Sequence, residues 1–232
     1  MGPVSIVGFE EARARFRAAA ARPRRPLDAP GFRPAAVLVP LLRRPAGPTL
    51  LFTLRTETVP HHKGEISFPG GGRAPGEEAV AAALREAEEE VGLAPAAVEV
   101  LGALDDLPSI WGYVVTPVVA AIFDPPARFE AQAGEVVEPF EIPLARLLAP
   151  GVRRSEWWEA ARLPEAIREK LLASRVAFDE LDPATGRYRV WFFHAGEGPE
   201  RIVWGLTGRI LAHLLDAAFA PAAGGASGAA AG

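Results

Sequence analysis

Residues 68–93 read FPGGGRAPGEEAVAAALREAEEEVGL. A glycine loop followed by a run poor in helix breakers predicts a helix over Glu77–Val91. Pro75 and the Glu77–Glu78 pair suit its start, where carboxylates meet the positive end of the helix dipole, and Gly92 suits its C-terminal cap. Val80, Leu84, Ala87 and Val91 fall on one stripe at helical spacing and are expected to face the core. Glu86, Glu89 and Glu90 fall on the side roughly opposite, where Ala79, Ala82 and Ala83 would leave room beside them; Glu88 projects near the edge of the apolar stripe. Like charges three or four residues apart destabilise a helix by ~0.2–0.5 kcal/mol per pair. Such a face is either a solvated acidic surface, as most charge runs are, or a place for cations, because hard ions such as Mg²⁺ prefer carboxylate oxygens.

Outward from this helix, Phe9–Ala21 reads as a helix ended by Pro23, and Arg22–Pro34 as an irregular crossing whose Arg22–Arg25 cluster is a solvated linker. Ala35–Leu42 and Leu50–Thr56 read as strands around an Arg44–Pro48 turn, and Val59–Gly72 as a loop with a brief strand at Glu65–Phe68. Val98–Leu104, Tyr113–Phe123 and Val136–Ile142 read as strands, Pro143–Leu148 as a short helix and Glu165–Ala173 as a helix. Val176–Leu181 and Arg187–His194 read as strands around an Asp182–Gly186 turn, and Val203–Phe219 as an amphipathic helix. The final PAAGGASGAAAG is low-complexity and is expected to be a disordered tail. Strands interleaved with helices predict an α/β fold with a mixed sheet flanked by helices.

A hydrophobic share of 49% against 23% charged residues supplies a real core and excludes a chain disordered throughout. The absence of cysteine excludes a disulfide scaffold, a thiolate metal site and a cysteine nucleophile, and fits a reducing cytoplasm. A net charge of −4 argues against a nucleic-acid partner. No stretch approaches the ~20 apolar residues of a membrane span, and MGPVSIVGFEEARARF has no secretory apolar region. The expectation is a cytoplasmic protein with a small-molecule partner, no membrane and no nucleic acid.

Gly71, Glu77 after five residues, Arg85-Glu86 after seven more, then Glu89-Glu90 and Gly92-Leu93 match the pattern G-x5-E-x7-R-E-U-x-E-E-x-G-U, with Ala87 and Leu93 in the apolar slots. The sequence therefore resembles the Nudix hydrolases. The resemblance implies an α/β/α sandwich around a mixed β-sheet and cleavage of nucleoside diphosphates linked to another moiety. Just upstream, the stretch from Leu51 to Gly71 resembles the extra signature of the coenzyme A pyrophosphatase branch: Thr53, Arg55, His62, Gly64 and Phe68 to Gly71 fit. Thr56 stands where serine or alanine is usual, and Pro60 where the signature often has arginine. Val115–Val119, Glu135-Val136 and Trp204–Thr207 also look like this branch, so the resemblance covers about Arg33 to Leu215. Expected organisation is an N-terminal helix and linker over 1–32, a Nudix domain over 33–219 and a tail over 220–232.

Hydrolysing a diphosphate requires neutralising its oxygens and aiming water at one phosphorus, which divalent ions promote. Glu86 and Glu90, one turn apart, are the expected ligands of Mg²⁺ or Mn²⁺, with Glu89 a third ligand or an orienting group. The resemblance adds the Gly70 carbonyl to the metal and Gly71 to the substrate, and gives Arg85 the role of orienting a carboxylate although its helical phase points elsewhere. Glu77 is expected behind the ligands. Arg55, His62 and Lys63 are candidates for phosphate, or else an exposed loop and a strand flank. Glu135 and Glu138 lie where some Nudix enzymes place a base, against a reading as solvated acids; His194 and His213 read as structural. Trp111, Trp157 and Trp158 are adenine-stacking candidates or core. Three functions remain open: a coenzyme A pyrophosphatase, a pyrophosphohydrolase of another nucleoside diphosphate derivative, and a non-catalytic binding module. A binding module has no need of like charges that weaken its helix.

Overall fold

The structure, a computed structural model, describes residues 7–55, 66–131, 136–159, 165, 181–182, 185–195 and 201–219. The expected tail, the Glu165–Ala173 helix beyond Glu165, most of Val176–Leu181, Glu135, and residues 56–65 with His62 and Lys63 lie outside these residues.

The chain opens with α1 (Phe9–Ala20) and enters the sheet through β1 (Arg33–Leu42) and β2 (Thr49–Arg55). Two short strands follow, β3 (Ile66–Ser67) and β4 (Gly70–Gly72), and then α2 (Ala79–Val91). A single 3₁₀ turn leads to β5 (Glu99–Ala103), β6 (Leu107–Pro108) and β7 (Tyr113–Ile122). β8 (Val136–Pro143) and α3 (Leu144–Leu147) complete the first sheet's run, which has eight strands. β1 and β7 run parallel while every other pair is antiparallel, which is the mixed sheet expected from the sequence.

Strand alternation divides this sheet's residues between two layers. Ala36, Leu38, Leu42, Val118, Ala120 and Ile122 pack under α2. Val39, Leu41, Val119 and Ala121 face the other way, toward Phe9, Phe16, Leu211 and Leu214. Those partners come from α1 and from the last helix, α4 (Gly205–Phe219), which pack on each other with Phe16 against Phe219 at 6.1 Å. The result is an α/β/α sandwich.

That the Arg187–His194 strand, read correctly from the sequence, belongs to a second sheet was not foreseen. This sheet joins β9 (Arg153–Glu159), β10 (Leu181–Asp182), β11 (Arg187–His194) and β12 (Ile202–Trp204), all antiparallel. β9 reads RRSEWWE, without the apolar alternation that marks a half-buried strand. Phe193 and Val203 anchor the sheet on α4.

The residues before the first sheet are also more tied than expected. Arg13 and Arg17 grip Glu99 on β5, and the hydrogen bond from Arg13 holds that carboxyl below its ordinary range. The Arg22–Arg25 stretch is no free linker: Arg24 binds Asp106 (2.8 Å) and Thr116 Oγ1 (3.1 Å), and Arg25 binds Asp105 (2.8 Å). At Gly102, φ is +146° and an added Cβ would run into the Ala20 carbonyl, so the end of α1 lies directly on β5.

Candidate active site

The site is built where the first sheet forks. β1 is paired with β7 along its whole length on one side. On the other it pairs with β4 at Ala35–Val37 and with β2 only at Leu41–Leu42. β2 turns away to pair with β3 at Thr53–Leu54. The segment Phe68-Pro69 spans the gap, and the Pro69 carbonyl accepts the Leu38 amide at 2.8 Å. Phe68 stacks on Phe52 at 4.7 Å, which stacks on Phe140 at 5.9 Å, so the glycine run is held at a fixed height. Gly70 sits so close to β1 that a Cβ there would meet the Ala36 carbonyl and Val37.

α2 lies over this fork, and its phase differs from the sequence expectation. Ala82, Ala83, Ala87 and Val91 are buried against the sheet, while Val80 is 36% exposed and Leu84 half-buried. The alanines do not leave room beside the carboxylates; they let the helix seat closely on Ala36 and Leu38. The rotation brings Glu90 inward. It is 7% exposed, and its Oε2 accepts the Gly70 amide at 3.1 Å. Glu86, one turn earlier, stands against Gly71, where a Cβ would collide with its carboxylate. Glu88 and Glu89 are exposed. Gly92 closes the helix in the left-handed conformation (φ 67°), with its amide on the Glu88 carbonyl and that of Leu93 on Ala87, as its sequence position predicts.

Arg85 is drawn into the site despite its phase. Its guanidinium donates to both oxygens of Glu77 (2.9 and 3.1 Å), to Glu86 (2.8 Å), to Glu89 (3.1 Å) and to the Gly72 carbonyl (3.1 Å). Glu77 precedes the helix, which starts after Glu78, and its Oε2 also accepts the Ala74 amide at 2.8 Å. The Arg85 hydrogen bond, reinforced by that amide, lowers the Glu77 carboxyl to about 2. The same bond raises Arg85 further above its ordinary value. Arg73, which the sequence did not single out, donates to the Glu77 carbonyl and fixes the turn; arginine between the glycines and Glu77 was its only signal.

The remaining candidates lie on other elements. Arg55 ends β2 opposite Val136. Glu138 is paired with Arg201 at 3.0 Å. Trp157 and Trp158 belong to β9, where Trp158 packs with Tyr188, Phe192 and Trp204. His194 lies on β11 and His213 on α4.

Comparison with known proteins gives the family. The sequence profile of the NUDIX domain matches residues 32–159, more than half of the chain. The chain belongs to the Nudix family. A relative in Escherichia coli (strain K12), named uncharacterized Nudix hydrolase NudL, is 49% identical over 120 residues, covering 51% of this chain and 62% of its own length. The protein of that name in Shigella flexneri is 48% identical over 129 residues, covering 55% and 65%. The chain thus spans less than two thirds of either relative. Among solved structures, an Ap4A hydrolase of C. elegans in a binary complex is 21% identical, covers 47% of this chain and 79% of that one, and has a TM-score of 0.41. The Nudix hydrolase RenU of M. smegmatis is 26% identical, covers 48% and 70%, and has a TM-score of 0.41.

Nudix hydrolases generally use divalent metal ions. Among the described residues, no three acidic or histidine side chains stand ready-made around one point. Arg85 draws Glu86 and Glu89 toward itself, and the Gly70 amide holds Glu90. The donors still fit in kind. The carboxylates that meet the Gly70–Gly71 backbone in this Nudix site are those of Glu86 and Glu90, and oxygen ligands of that type suit Mg²⁺ or Mn²⁺.

Proposed function

We propose that this chain is a metal-dependent pyrophosphohydrolase that splits the diphosphate of coenzyme A or its derivatives into 3′,5′-ADP and 4′-phosphopantetheine. The observation that carries the chemistry is the convergence of Glu86 and Glu90 on the Gly70–Gly71 backbone. Glu86, Glu90, Glu89 and the Gly70 carbonyl are the proposed holders of Mg²⁺ or Mn²⁺. A divalent ion there supplies the positive charge that neutralises diphosphate oxygens and favours attack by water on one phosphorus. Glu86 and Glu89 are oriented by Arg85, itself clamped by Glu77. Glu77 and Arg85 are therefore positioning residues in this scheme. The absent side chains of Gly70 and Gly71 let β1 and the Glu86 carboxylate close on this backbone, which holds the site's oxygens together.

The substrate assignment rests on the signature that ends in Phe68–Gly71. Arg55, His62 and Lys63, shortly before the glycine run in sequence, are the proposed contacts for further phosphates, including the 3′-phosphate of coenzyme A. The catalytic unit is proposed to be residues 33–219, acting in the cytoplasm; no helix among the described residues is long and apolar enough to cross a membrane. Losing one charge-assisted phosphate contact costs ~1.5–3 kcal/mol, about ten- to a hundred-fold in specificity. Coenzyme A should therefore be cleaved that much faster than its 3′-dephospho form, with an absolute metal requirement. Product analysis of both substrates in ¹⁸O-labelled water tests this and shows which phosphorus is attacked. Equal rates would remove the 3′-phosphate contact. Rapid cleavage of ADP-ribose or a dinucleotide polyphosphate, with coenzyme A untouched, would replace the substrate and point to Pro60 as the cause.

A further inference from the structure

β9 is an outer strand of the second sheet. It pairs with β11 along Arg153–Glu159, and among the described residues no strand lies on its other side. A bare edge is a template for another chain unless it is short, bulged, carries proline or is guarded by charge, and the charges of β9 are of both signs, so they repel a like strand only in the wrong register. β9 has seven residues in unbroken register and contains neither proline nor glycine.

The phase of its hydrogen bonds is fixed. The His194 amide donates to the Val152 carbonyl at 2.9 Å, and these two residues continue the register that sets Arg153 opposite Phe193. Backbone groups alternate sides along a strand. The N–H and C=O of Arg154, Glu156 and Trp158 therefore face β11, and those of Arg153, Ser155 and Trp157 face outward. Laid antiparallel to itself about Ser155, the strand is self-complementary. Ser155 meets Ser155, Arg154 meets Glu156 in both directions, and Arg153 meets Trp157, each pair on one face of the sheet. Centring the pairing on Glu156 instead would set two like charges directly opposite.

The side chains suit this use. Arg154 and Glu156 are exposed and 3.6 Å from each other; Glu156 also accepts the Trp158 indole N–H at 3.0 Å, and Arg154 lies over the Phe192 ring, which holds both side chains on the strand's face. Trp157 is 46% exposed. Guanidinium on indole is a contact this sheet already makes, with Arg153 3.8 Å from the Trp191 ring centre and Arg189 4.7 Å from that of Trp157.

We propose that two copies of this chain associate through β9, antiparallel, with a two-fold axis at Ser155, so that their four-stranded sheets join into one. Such a contact is isologous and closes after two subunits. The test is sedimentation velocity on the full chain over a range of micromolar concentrations. The unmodified protein should sediment as a dimer, and Ser155→Pro as a monomer with unchanged circular dichroism, because the Ser155 N–H faces outward and proline there removes no bond to β11. Arg154→Glu places like charges opposite at both symmetric pairs and should raise the dimer dissociation constant about ten-fold or more. Adding Glu156→Arg to that variant restores opposite charges and should restore the dimer. A monomer at every concentration would overturn the proposal, as would a dimer indifferent to both Ser155→Pro and the charge reversals. If Ser155→Pro does not fold, the charge series decides alone.

Discussion

Replacing Glu90 by glutamine removes one charge and almost no volume from the buried end of the metal face. Three effects on stability oppose one another. The Gly70 amide loses a charged acceptor and keeps a neutral one, a loss of about 1 kcal/mol. Relief of the repulsion between Glu86 and Glu90 returns ~0.2–0.5 kcal/mol. The lower cost of burying an amide than a carboxylate returns a similar or larger amount. The net change should stay within about 1 kcal/mol, which in a domain of this size moves the melting temperature by no more than about 4 °C. Catalysis has no such offset. A preorganised charge at a reacting centre contributes about 3–4 kcal/mol, so turnover on coenzyme A should fall by a factor of about 10²–10³ or more. Glu88, exposed two residues earlier, serves as the control: Glu88→Gln should leave both quantities unchanged. Steady-state kinetics at saturating metal, with melting curves on the same samples, give both numbers. Equal loss of turnover in the two variants, or a folded Glu90→Gln enzyme with turnover within a few-fold of the unmodified protein, would refute the assignment of Glu90 to the metal face.

Two further outcomes follow from the packing and the charges. Phe16 is fully buried between the sheet and α4, so Phe16→Ala should cost about 3–5 kcal/mol in chemical denaturation although it lies outside the NUDIX match; a loss below about 1 kcal/mol would show that α1 is not part of the core. The Glu77 carboxyl is depressed from 4.5 to about 2 in the folded chain, so the stability it adds is complete above pH 4.5 and is lost as pH falls toward 2. The stability gap between the unmodified protein and Glu77→Gln should be flat above that window and narrow within it, and a gap independent of pH would remove the Glu77–Arg85 pair as its source.

The spacing of Gly71, Glu77, Arg85, Glu86, Glu89 and Glu90 was legible because these residues are fixed along one loop and one helix. Most strands were legible too, through short apolar runs ended by turns. The phase of α2 was not. Hydrophobicity ranks Val80 and Leu84 above alanine, yet a helix seated closely on a sheet selects small residues for its inner face, and Glu90 is carried inward with them. β4 is three glycines with no pattern to read. β9 is charged because most of its side chains are exposed. Arg24 and Arg25 looked like solvated linker because their partners, Asp106 and Asp105, lie 80 or more residues away and carry no local mark. Side-chain partners distant in the chain were the part that pattern could not supply.

The two layers of the sandwich differ in how much of the chain must be synthesised before each can close. Every residue of the α2 layer lies between Ala36 and Phe129, so that half has all its material once the middle of the chain has left the ribosome. The opposite layer runs from Phe9 to Ala218. Its first helix, α1, can dock on β5 and β7 once those strands exist, but its face toward α4 stays uncovered until residues 205–219 are made. In refolding this predicts that pulsed hydrogen exchange protects β1, β7 and α2 before α1. During synthesis, the Phe16 side of α1 is therefore the apolar surface that waits longest for its cover.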